Sequence, residues 1–155
     1  ATAGQLVAEW ASHSQGVRTA RGPGAAVFTH GLDHVTNQAG TSVAIGNERM
    51  LRDLLRDEFA TIRLGTLNHC LGDPAKALCL ESASAAVKAG GPIPSMCQPS
   101  TCRNSVITDK HLPLWQHEET DLRAKLKDKS MAEIHRQRLQ SQLDDIRRIT
   151  TQEPK

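Results

Sequence analysis

Four cysteines fall within 33 residues, at Cys70, Cys79, Cys97 and Cys102, in the pattern C-x8-C-x17-C-x4-C. Four thiolates at about 2.3 Å complete the tetrahedral shell of a zinc ion and leave no open position for a substrate. A zinc site built from all four is therefore structural, and it ties together segments that are otherwise loose. Two other readings stay open: free buried thiols acting as small hydrophobes, and disulfides. The first residues, ATAGQLVAEW, contain no charged stretch followed by an apolar run, so no secretory signal is expected. A reducing cytoplasm is the expected compartment, and there clustered thiols favour metal over disulfides.

The rest of the chain reads as helical. Its 155 residues are enough for one domain with a real core. Aromatics make up only 3% of the chain (Trp10, Trp115, Phe28 and Phe59), and there is no tyrosine. The core must come from aliphatic residues, which suits helices better than a β-sandwich. Residues 3–14 read as a helix with Leu6, Val7 and Trp10 on one face. The RGPG turn at 21–24 breaks the pattern, with Pro23 placed to start a second helix. That helix carries Val27, Phe28, Leu32 and Val35 and ends at Gly40. Asn47 is a suitable N-cap for a third, whose stripe is Leu51, Leu54, Leu55, Phe59 and Ile62, with Gly65 as its stop. Asp73-Pro74 opens a short helix containing Lys76 to Leu80, and residues 82–101 read mostly as loop. Pro113 opens a helix reaching about Lys127. Ser130 and Glu133 have the form of a capping box before a last helix bearing Leu139, Leu143, Ile146 and Ile149. These two form an antiparallel hairpin.

The expected fold is thus mainly α: a small helical domain over 1–110 with the cysteine cluster at 65–105, and a helical hairpin over 111–155 packed on the same domain. Cys97 and Cys102 sit in CQPSTC, a tight loop expected to aim backbone N–H groups at the sulfurs. Cys70 is placed on the loop after the third helix, and Cys79 near the end of the short one. Arg63, Lys76 and Arg103 are positioned to offset the charge of a tetrathiolate site. His69 and His111 are possible substitute ligands. His30 and His34 share a helix face at i, i+4, but no acidic residue or third ligand accompanies them. Trp115 in HLPLW reads as a core anchor rather than a recognition residue.

The segments GTLNHCLGDPAKALCLE, PIPSMCQPSTCRNS and DKHLPLW resemble the C-terminal Cys-rich region of actinobacterial tyrosine recombinases, the integrases of phages and mobile elements. RGPGAAVF and NERMLRDLLRDEFATIRLG are also similar, so the likeness spans roughly residues 18–120 and is sharpest at 65–115. It implies a bacterial DNA integration and recombination protein. That family attacks a phosphate with a tyrosine hydroxyl, and this chain has no tyrosine. The expectation is therefore a non-catalytic module, not an enzyme. The chain does not open on Met and reads as a fragment or processed product of a longer protein.

Net charge is +2, and the excess is concentrated from Asp121 to Lys155, where nine Lys/Arg face six Asp/Glu. Arg123, Lys127, Arg136, Arg147 and Arg148 are the candidate contacts to double-stranded DNA, against the alternative of a solvated helical face. No aromatics interleave with them, so base stacking on single strands is not expected. Self-association or contact with other recombinase protomers is the other expected partnership. No stretch is long enough to span a membrane. Two further functions stay open: a protein–protein interaction module using the terminal hairpin without nucleic acid, and an enzyme with a catalytic zinc.

Overall fold

Leu6, Phe28, Leu32, Val35, Leu51 and Leu55 recur at helical spacing, and three helices bring them into one core. The computed structural model describes residues 2–40 and 47–155. The three helices are α1 (Thr2–Ser14), α2 (Ala25–Ala39) and α3 (Glu48–Glu58). Asn47 caps α3 by accepting the Met50 N–H at 3.1 Å. Phe28 and Phe59 meet with ring centroids 5.2 Å apart. Gly31 makes this possible, because a Cβ there would stand 2.7 Å from the Phe59 ring.

The third helix stops earlier than its apolar stripe suggests. It ends at Glu58 and not near Gly65, because Phe59 turns into the core and Arg63–Leu64 already form a strand. That strand, β1, begins a small antiparallel sheet with β2 (His69–Cys70) and β3 (Ser105–Val106), in the order β1-β2-β3. Leu64 pairs with His69, and His69 with Val106. The RGPG segment is not a free turn. Arg21 and Ile107 exchange backbone hydrogen bonds of 2.7 and 2.9 Å, and the Gly24 N–H donates to the Ser105 carbonyl at 2.8 Å. Side chains on Gly22 or Gly24 would strike Ser105.

Between β2 and β3 the chain forms single turns: 3₁₀ turns at Pro74–Lys76, Leu78–Leu80 and Pro94–Met96, and helix α4 (Ala85–Ala89) capped by Ser84. The span 82–101 is therefore more structured than a loop.

The C-terminal hairpin consists of α5 (Leu112–Lys125) and α6 (Glu133–Thr150), packed through Leu122, Leu139 and Leu143. The capping box does not form. Ser130 donates to its neighbour Asp128, and α6 starts after Ala132 without a side-chain cap. Arg136 instead reaches back to the carbonyls of Leu126 and Asp128 and ties the two helices at their turn. The hairpin rests on the main body. Trp115 and Ile149 pack on Ile107, the Trp115 indole N–H donates to the Leu67 carbonyl at 2.8 Å, and Arg21 Nε donates to the Gln152 carbonyl at 2.9 Å. No helix among the described residues is long and apolar enough to cross a membrane.

Gly72 makes the tightest approach of the glycines among the described residues. Its φ is +80°, and a Cβ there would lie 2.1 Å from the Thr61 carbonyl oxygen. Gly72→Ala should cost more than about 2 kcal/mol, read as a lowered urea midpoint. Gly4→Ala in α1, where nothing lies within 4 Å of the added carbon, should leave the midpoint unchanged or raise it.

Candidate metal centre

Adjacent residues of a strand point to opposite faces, and β2 uses that alternation to separate two environments. His69 turns inward and is 2% exposed, beside Phe28 and edge-on to His111 at 4.4 Å between ring centroids. Cys70 turns the other way and lines a cavity of about 90 Å³ together with Cys79, Cys97 and Cys102. The four cysteines thus share one cavity from four separate segments. Cys70 belongs to β2 and not to a loop, and Cys79 lies within the second 3₁₀ turn. Cys97 follows the third of these turns, and Cys102 precedes β3.

Two of the sulfurs receive N–H donors. The Ile93 backbone N–H donates to Cys79 Sγ at 3.2 Å and the Asn68 side-chain amide to Cys97 Sγ at 3.7 Å. The Cys102 thiol itself donates to the Lys76 carbonyl at 3.7 Å. The CQPSTC loop does not supply these donors. Its Thr101 and Cys102 N–H groups close on the Gln98 carbonyl instead.

Burial pushes the Cys70 and Cys97 thiols above their ordinary range, and charge on the neighbouring cysteines pushes them further. These two thiols therefore resist ionisation on their own. A dication among them reverses that balance, because a coordinating thiol is deprotonated outright. Among the described residues, no group of three or more His, Cys, Asp or Glu forms a metal-holding set as it stands. The donor chemistry nonetheless fits zinc: four cysteines in the lining, N–H donors on two of the sulfurs, and no carboxylate in the cavity wall.

The surrounding residues divide by task. Arg63 donates to the Pro92 carbonyl at 2.6 Å and holds the segment that carries Ile93. Lys76 lies 3.6 Å from Asp73, and Arg103 is exposed. None of the three cations hydrogen-bonds to a sulfur among the described residues, although Arg63 lines the cavity. Two asparagines do the positioning. Asn68 bonds both Cys97 and Ser105, while the fully buried Asn104 exchanges hydrogen bonds with the Asp73 backbone and accepts the Leu71 N–H. Each asparagine lies two residues from a cysteine, in NHC and CRN, which was the available signal for them.

Neither His69 nor His111 lines the cysteine cavity. His111 Nδ1 accepts the Thr108 N–H and its Nε2–H donates to the Gly65 carbonyl, both at 2.9 Å. Neither ring nitrogen of His69 has a hydrogen-bond partner, and its Nε2 lies 3.7 Å from Glu9. His30 and His34 are exposed, and His34 bonds Glu58.

Three of the five proposed DNA contacts in the tail are engaged internally. Arg123 pairs with Glu119 at 2.9 Å, Arg148 with Asp145 at 3.3 Å, and Arg136 with backbone carbonyls. Lys127 and Arg147 are exposed. Comparison with known proteins finds no family model, no curated protein and no solved structure that matches this chain.

Burial, followed by the neighbouring His69, lowers the His111 pKa to about 4 from 6.5. The fold thus favours neutral His111. Its stabilisation is complete above pH 6.5 and drains away as pH falls toward 4. Urea midpoints measured across that window should fall for the native chain. The decline should be shallower for His111→Gln, which can retain the donor to Gly65.

Proposed function

We propose that the chain is a non-catalytic, zinc-stabilised module of an integrase-like DNA recombination protein, contributing DNA contact or protomer assembly. One observation carries the zinc reading: four cysteines from separate segments facing a single cavity, two of them supplied with N–H donors. The resemblance of NHC, DPAKALC and CQPSTC to the Cys-rich region of tyrosine recombinases supplies the DNA context. The role is architectural. A four-thiolate site leaves no place for an activated water, and without tyrosine the chain lacks that family's nucleophile.

The cysteine region has little else to hold it. From Ala60 to Thr101 the buried apolar side chains are Ala77, Leu80 and Pro92. Ordering the backbone costs about 1–2 kcal/mol per residue, and so few apolar groups offset little of it. Zinc crosslinking is the natural supplement, since metal binding free energy becomes folding free energy.

Purified protein should contain about one zinc per chain, from the four-thiolate stoichiometry. Cys97→Ser should lower both the zinc content and the melting temperature. Chelation should do the same to the native chain. A metal-free protein with unchanged melting temperature after chelation would contradict the proposal.

A second reading, a protein-interaction module without nucleic acid, is favoured by one feature. Leu67 and Leu114, 51% and 45% exposed, flank an apolar depression floored by Trp115 and Ile146. Self-association abolished by Leu114→Asp, with no shift by duplex DNA at low salt, would select it.

A further inference from the structure

Beside the cysteine cavity lies a second concavity of about 470 Å³. Its walls are the 3₁₀ turns around Lys76 and Leu78, helix α4 carrying Lys88, and the segment carrying Arg103. Three cations line it, Lys76, Lys88 and Arg103, against one carboxylate, Glu81. Lys76 shares part of its charge with Asp73 at 3.6 Å. Lys88 and Arg103 are exposed and form no ion pair with the described residues. Three of the tail cations differ in this respect, since Arg123 and Arg148 are paired and Arg136 serves backbone carbonyls, whereas Lys127 and Arg147 are exposed like the groove pair.

We infer that this groove is a binding site for the phosphodiester backbone of duplex DNA, with Lys88 and Arg103 as its principal contacts. The inference rests on the DNA reading above and moves the contact from the helical tail to the flank of the cysteine cluster. Exposed cations without protein partners are the groups that can exchange counterions for phosphates, whereas a cation already paired gains less. No aromatic side chain lines the groove. It therefore lacks the stacking platform that single-stranded nucleic acid uses, and backbone contact with a duplex is the remaining fit. The cysteine region also adjoins the groove. Cys102, which lines the cysteine cavity, immediately precedes Arg103, and Ala77 lines both the cavity and the groove.

The test is a salt titration of binding to a short mixed-sequence DNA duplex, using the whole chain. The variants are Lys88→Gln with Arg103→Gln, and, for comparison, Arg123→Gln with Arg148→Gln. Each phosphate-neutralising cation that is removed lowers the slope of log K against log salt by about 0.9. The groove pair should lower it by about 2, with unchanged melting temperature and metal content, while the tail pair leaves it near the native value. A groove variant that keeps the native slope while the native chain binds overturns the assignment and leaves the DNA reading standing. No binding by the native chain at low salt overturns both. Tighter binding to single-stranded RNA than to the duplex overturns the duplex assignment. Competition by inorganic phosphate beyond that of chloride at equal ionic strength identifies a free-phosphate site and also overturns it.

Discussion

The two residues of β2 divide this molecule. His69 is sent into the aliphatic core and Cys70 into the cysteine cavity, and each direction recruits a different part of the chain. On the inner side, His69 lies against Phe28 and His111, which links helices α1 to α3 with the start of the C-terminal hairpin. On the outer side, Cys70 joins three cysteines carried by segments with almost no regular structure. A slip of one residue in the β2 register would exchange the two faces, placing a thiol in the core and an imidazole in the cavity. Backbone pairing to both β1 and β3 guards against that slip, and Asn104 locks the strand ends by bonding the Asp73 backbone.

The two halves of the structure are stabilised in different ways. The helical half is held by apolar burial at about 25 cal/mol per Å², concentrated in Phe28, Leu32, Val35, Leu51 and Leu55. The cysteine half relies on directed contacts: N–H groups on sulfur, asparagine side chains on backbone, and Arg63 on the Pro92 carbonyl. Such contacts hold a shape but supply modest net stability, about 1 kcal/mol each. A crosslinking ion would change the balance, because it converts four mutually repelling thiolates into one compact unit. The neighbouring groove lined by Lys76, Lys88 and Arg103 would then lie against a rigid unit.

Helices with long apolar periodicity were legible from the residues alone. Leu51 and Leu55 on α3, and Leu139, Leu143 and Ile149 on α6, are buried where the period of 3.6 places them. The strands were not legible, because two-residue strands contain too few positions to show alternation. The Ser130–Glu133 capping box had the correct spacing, yet the nearer Asp128 captured the serine and Arg136 took over the turn. At the candidate site, the identity of the four cysteines was plain, but their donors were not. Ile93 lies 14 positions from Cys79 and Asn68 lies 29 from Cys97, separations at which local sequence gives no signal. The basic tail was legible only as a count of charges: the structure shows that Arg123 and Arg148 have acidic partners, while Lys127 and Arg147 are exposed.

X-ray absorption at the zinc edge of the purified chain addresses the central claim most directly, because it reads the atoms around the ion. Coordination by Cys70, Cys79, Cys97 and Cys102 predicts a shell of four sulfurs at about 2.3 Å with no nitrogen or oxygen. A shell containing imidazole nitrogen or water, or a protein with no zinc edge, would contradict it.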